Sequence, residues 1–118
     1  GDYAAHEITG IKTSISTIRI DTDLDEYRIK NISASIKIYI AESILEKDVA
    51  IILENVKYIN NIGLNFLIEI NGALKKDGHR VILCQLSNAV SHYLKTLGYL
   101  DYFQVVDTLK EAVDSFEN

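Results

Sequence analysis

Three histidines, one cysteine and 17 carboxylate side chains are the groups through which this sequence could do acid–base, nucleophilic or metal chemistry. His6, His79 and His92 stand in separate segments with no local metal-ligand spacing, and Cys84 has no second cysteine to join. No metal site is expected. Cys84 lies in the apolar run RVILCQL, where a buried thiol is the expectation rather than a reactive one. The chain has no glycine-rich phosphate loop with its lysine, no nucleophile elbow around a serine and no zinc-protease histidine pair. Asp21, Asp23, Asp25 and Glu26 form an acidic cluster without the EF-hand spacing, and it reads as a solvated connection. The expectation is a protein that is not an enzyme and needs no cofactor, since a catalytic set would have to be assembled wholly by tertiary contacts.

One stretch remains. YINNIGLNFLIE, from Tyr58 to Glu69, sets two asparagines and a glycine between a hydrophobic strand and a hydrophobic helix. Ligand sites in α/β sheets favour the carboxyl ends of strands, where the next helix offers unpaired backbone N–H groups. Asn60 or Asn61 can cap that helix, and Gly63 removes a side chain at a close approach. Local capping explains the pattern as well as binding does.

The elements that hold this stretch follow from periodicity. A length of 118 residues suits one domain, 1–118. HEITGIKTS and ISTIRIDTD read as two early strands able to pair. NISASIKIYIAESILEKD puts Ile32, Ile36, Ile40 and Ile44 on one helical face, with Lys37 and Glu46 on the solvated flank. Its β-branched residues are indifferent helix formers, so packing must stabilise it. VAIILENV and HRVILCQL read as buried strands, with a helix between them whose apolar face carries Ile62, Leu64, Phe66, Leu67, Ile68, Ile70 and Leu74. Ser87 or Asn88 caps a third helix with Val90, Tyr93, Leu94 and Leu97 facing one way, and Gly98 ends it. YFQVV makes a short strand, and Thr108 with Glu111 forms a capping box for a last helix. Helices alternating with apolar strands call for a largely parallel or mixed sheet.

The net charge of -5 argues against nucleic-acid binding, and Lys75–Lys76 is a solvated pair rather than a basic patch. No apolar run reaches the roughly 20 residues of a membrane span. The first residues lack the order of a signal peptide. With a single cysteine, a cytoplasmic location is expected.

Taken together, VAIILENVKYI, the loop NNIGL, the helix ending ALKKDG, the strand RVILCQL and the tail VSHYLKTLGYLDYFQVVDTLKEAV resemble the STAS domain of bacterial anti-sigma-factor antagonists. The resemblance covers nearly the whole chain. It implies a small α/β domain with a four- or five-stranded mixed sheet and helices mainly on one face. In that family the loop is typically Asp-Ser-Ser-Gly-Leu, and its first serine accepts a phosphoryl group from an anti-sigma factor acting as a serine kinase. Here Asn60 stands at the aspartate, Asn61 at the phosphoacceptor and Ile62 at the second serine, ahead of Gly63–Leu64. An amide has no hydroxyl to phosphorylate. Between Ser43 and Ser87 there is no Ser or Thr, and Tyr58 carries the sole side-chain hydroxyl.

The resemblance therefore implies a binding regulator whose partner is a kinase-like anti-sigma factor or another signalling protein, met without phosphorylation at Asn61. The partner-binding loop is expected at Asn60, Asn61, Ile62 and Gly63. The two amides would supply uncharged hydrogen bonds and Gly63 a close backbone approach. Ile62 would add an apolar contact if it points outward, or else anchor the helix. The alternatives are a STAS-like scaffold or accessory module of a signalling or lipid-transport assembly, and a module binding a nucleotide or small anion at the helix N-terminus.

Overall fold

The computed structural model describes residues 1–9 and 14–118. In chain order it comprises β1 (Tyr3–Thr9), β2 (Ser14–Ile20), α1 (Glu26–Glu42), β3 (Asp48–Ile52), α2 (Asn61–Lys76), β4 (Arg80–Cys84), α3 (Asn88–Thr96), β5 (Val105–Val106) and α4 (Leu109–Glu117). The strands form one sheet in the order β1-β2-β3-β4-β5, with β1 antiparallel to β2 and the other pairs parallel. The sheet is thus mixed and five-stranded. Residues 10–13, read from the sequence as part of the first strand segment HEITGIKTS, lie outside the described residues.

Each parallel step moves the chain one strand further in the same direction. Right-handed crossovers repeated in one direction put their helices on one face of the sheet. The core follows that rule. Val49 and Ile51 of β3, with Val81 and Leu83 of β4, pack in one cluster with Ile32, Ile36 and Ile40 of α1, with α2, and with Val90 and Leu94 of α3. The alternate residues Ala50, Ile52, Ile82 and Cys84 point the other way, to Ala112 and Phe116 of α4. After β5 no parallel strand remains to be reached, so α4 folds back across the opposite face. Arg80 pins it there. Its guanidinium grips the buried Asp48 through both oxygens at 2.5 and 2.6 Å, donates to the Phe116 carbonyl at 2.8 Å, and lies 5.4 Å from the centre of the Phe116 ring.

Three expectations shift in detail. The first strand begins at Tyr3, ahead of His6. The first helix begins at Glu26, because Asp25 caps it by accepting from the N–H groups of Tyr27 and Arg28, and it ends before Ile44. Leu97, placed by spacing on the buried face of the third helix, is the C-cap residue and is exposed.

Candidate functional site

Parallel strands deliver the connections after β2 and β3 to the same end of the sheet, that of the strands' carboxyl termini, and these connections are tied together. Leu24 and Ile59 form a parallel bridge. The Leu24 N–H donates to the Tyr58 carbonyl at 2.9 Å, and the Asn60 N–H donates to the Leu24 carbonyl at 3.2 Å. Asp23 accepts from the N–H groups of Lys57 and Tyr58 at 3.2 and 3.1 Å. Asp21 accepts from Arg19 and Asn55, and Arg19 holds its carboxyl below the usual carboxylate range. The acidic cluster expected as a solvated connection is therefore bonded throughout to backbone and side-chain donors.

Asn60, not Asn61, caps α2. Its Oδ1 accepts from the N–H groups of Ile62 and Gly63 at 3.1 and 3.2 Å, while its Nδ2 donates to Glu26 Oε2 at 2.8 Å. Both ends of this amide are used inside the protein, so it stitches the starts of α1 and α2 together. Gly63 is buried as well. A Cβ there would sit 2.1 Å from the Leu24 carbonyl oxygen and 2.7 Å from its Cβ. Its close backbone approach is made to Leu24.

What faces outward is narrower than the four-residue loop. Asn61 is exposed at the first position of α2. Ile62 is 47% exposed, so it points out rather than anchoring the helix, and Tyr58 is 52% exposed just ahead of it. Tyr27, 66% exposed, stands beside Glu26 on the first turn of α1. Leu64 is buried in the core. Sequence reasoning missed Tyr93, whose hydroxyl donates to Asn61 Oδ1. Helical spacing showed only its inward-leaning ring.

The other chemistry-bearing residues stay apart. His6 and His92 are exposed on β1 and α3, and His79 Nδ1 lies 2.8 Å from the Glu46 carbonyl oxygen. Among the described residues no three His, Cys, Asp or Glu side chains gather as a metal-holding group. Burial, with the Glu54 charge second, pushes the Cys84 thiol up to about 12, far from thiolate chemistry at neutral pH. A groove of about 360 Å³ between α1 and α2 is floored by Ile40, Ala41, Ile70 and Ala73 and flanked by the Lys37–Glu69 ion pair. It draws on the later turns of both helices, not on the loop. No helix among the described residues is long and apolar enough to cross a membrane.

The family profile described as STAS domain matches residues 5–112. Among solved structures, an anti-sigma factor antagonist from Mycobacterium paratuberculosis is similar at a TM-score of 0.77 and 16% identity, covering 98% of this chain and 95% of the other. The anti-sigma factor antagonist SpoIIAA of Bacillus, in its unphosphorylated form, superposes at 0.68 and 19% identity over 96% of both chains. A sulfate transporter family protein from Wolinella succinogenes matches at 0.71 and 14% identity, covering 92% of this chain and 87% of the other.

Proposed function

The chain belongs to the STAS domain family, and from that premise we propose that it is a non-enzymatic, cytoplasmic protein-binding regulator of the anti-sigma-factor-antagonist kind. It binds a kinase-like anti-sigma factor or a related signalling protein through Asn61, Ile62 and Tyr58, without phosphorylation at residue 61. One observation carries the reading. The loop is fixed from behind by Asn60, Glu26 and the Gly63–Leu24 contact, and it turns an uncharged amide, the Ile62 side chain and the Tyr58 phenol to solvent. A braced, largely apolar patch with a few polar groups suits docking, because little conformational entropy is lost when it is covered. A phosphoserine would add roughly -1.5 to -2 charge there; Asn61 has no hydroxyl to acquire it.

The nucleotide or anion reading loses ground on the same geometry, since the Ile62 and Gly63 N–H groups are taken by Asn60. No Lys or Arg follows the loop until Lys75. The scaffold reading draws support from the likeness to the transporter-family protein.

Titration with a purified kinase-like anti-sigma factor captured with this chain from its source cells, with and without ATP, separates these. The wild type should bind with an affinity indifferent to ATP. Asn61→Ser should bind, become phosphorylated and dissociate when ATP is added. Asn61→Asp should bind at least about tenfold more weakly, since a buried unpaired charge is costly. No binding by the wild type, or its release by ATP, would count against the proposal.

A further inference from the structure

We propose that β1 is an interface at which two copies of this chain pair strand to strand about a two-fold axis at His6, joining their sheets into one. The inference goes beyond the docking reading above and does not rest on it.

The two edges of the sheet differ. β5 closes one edge with two residues, Val105–Val106, whereas β1 forms the other with seven, Tyr3–Thr9. Natural edge strands are kept from pairing by brevity, proline, lysine or a bulge. β1 has none of these: it contains no proline or lysine, and its register with β2 runs unbroken from Tyr3 opposite Ile20 to Thr9 opposite Ser14. The Asp21 N–H donates to the Asp2 carbonyl at 2.7 Å, a pair that continues the same register by one step. In an antiparallel ladder such hydrogen-bonded pairs alternate with pairs that exchange no bond. Ala4, His6 and Ile8 therefore turn their backbone groups to β2. Tyr3, Ala5, Glu7 and Thr9 turn theirs outward, where no strand among the described residues meets them.

The sequence of β1 is complementary to itself. Centred on His6, an antiparallel second copy sets Tyr3 opposite Thr9, Ala4 opposite Ile8 and Ala5 opposite Glu7. The outward-facing residues then meet one another as hydrogen-bonded pairs, as the ladder requires. Ile8, which already packs against the cluster beneath α4, gains the Ala4 methyl as a neighbour. Glu7 meets Ala5 rather than a second carboxylate, and like charges directly opposite are destabilising. Centring on Glu7 would oppose the two carboxylates, and centring on Ala5 would set Ile8 against Asp2. The two-fold consumes both β1 edges and leaves only the two-residue β5 edges, so association stops at the dimer. Its axis stands across the sheet and reverses the strand direction, which puts the two Asn61 loops at opposite ends, both open.

Sedimentation equilibrium of the full chain, with residue-resolved amide exchange and disulfide trapping, tests this. Rising concentration should bring the mass to twice that of the monomer and slow exchange at Ala5, Glu7 and Thr9, while Ala4, His6 and Ile8 stay protected throughout. Ala5→Pro removes an outward donor and none that β2 uses. It should raise the dimer dissociation constant at least about tenfold, with the Ala4, His6 and Ile8 amides still protected. In His6→Cys the two cysteines face each other as a pair without hydrogen bonds, about 4.5 Å between Cα atoms, within disulfide reach. Mild oxidation should therefore give a covalent dimer. In Ala4→Cys the two thiols stand roughly 14 Å apart along the strands and should stay unlinked. Cys84 is buried and takes no part. A monomer up to about 1 mM would overturn the proposal. So would a dimer that Ala5→Pro leaves intact, or one that His6→Cys does not trap or Ala4→Cys does. None of these outcomes bears on the anti-sigma reading, since no partner is present.

Discussion

Gly63 and Gly72 lie on the same helix and make opposite demands. Alanine normally stabilises a helix interior over glycine by up to about 1 kcal/mol. At Gly72 a Cβ meets nothing within 4 Å, so Gly72→Ala should raise stability by about 0.5–1 kcal/mol. At Gly63 the added carbon runs into the Leu24 backbone, which cannot rotate away. Gly63→Ala should therefore cost about 2–3 kcal/mol and separate α2 from the connection that carries Leu24. Urea unfolding of both variants checks this, and a midpoint for Gly63→Ala equal to or above that of the wild type would refute the internal role given to Gly63. This pair also shows where the sequence stops being informative. Both glycines are visible in it, and Gly63 draws attention by its place beside two asparagines, but whether a missing side chain makes room for a partner or for Leu24 depends on a contact 39 positions away in the chain. The bond from the capping Asn60 to Glu26 on another helix is likewise a contact between residues far apart in the chain.

Elements whose ends are set by neighbours in sequence were legible: Ser87 capping α3, the Thr108–Glu111 pairing at α4 and the left-handed Gly98 behind α3 all act within a few residues. The end of β4 was not. RVILCQL reads as an apolar run through Leu86, yet the strand closes at Cys84 because Gln85 turns to φ +51°. Side chains other than glycine and asparagine rarely adopt that conformation. Gln85 is retained there for its bonds: its N–H donates to the Asp107 carbonyl at 3.0 Å, and its Oε1 accepts from Leu109 N–H at the start of α4 at 3.1 Å. A residue at the end of one strand thus caps a helix 24 residues on. Gln85→Ala keeps the backbone cost and loses the cap, so it should destabilise by about 1–2 kcal/mol. Gln85→Gly loses the same cap but relieves the left-handed backbone, and should stay within about 0.5 kcal/mol of wild type. Thermal unfolding gives the ranking, and amide exchange at Leu109 should quicken in both. Equal losses in the two variants would mean that the turn carries no backbone cost.

Over the whole molecule, alternating helices and apolar strands made a mixed α/β sheet legible, whereas the joining of its antiparallel edge to the first helical layer depends on side chains far apart in sequence. Glu7 on β1 lies directly across from Ser16 on β2, and Ser16 Oγ donates to Glu46 Oε2 at 2.8 Å in the connection after α1. Glu46, expected merely on a solvated flank, is the hub. A hydrogen bond with Glu46, then the Glu46 charge, raises the Glu7 carboxyl above its ordinary value of 4.5. The Ser16 hydroxyl, then the Glu7 hydrogen bond, lowers Glu46 below the same value. Tyr39 on α1 faces the pair and is raised, by burial first and the Glu46 charge second. The two carboxyls give opposite slopes. Glu7 binds its proton more tightly folded than unfolded, so its contribution is complete below pH 4.5 and is lost as pH rises through its folded value. Glu46 contributes above 4.5 and loses that contribution as pH falls through its own lowered folded value. The pair therefore favours the fold most between the two folded values. Glu7→Gln keeps a donor that cannot ionise, and it should flatten the alkaline decline, leaving the variant more stable than wild type at neutral pH. Glu46→Gln should flatten the acid limb instead. Melting temperatures of the three proteins from about pH 3 to about pH 8 make the comparison. Curves that run parallel across that range would show that Glu7 and Glu46 titrate independently and that the edge strand is held by its backbone ladder alone.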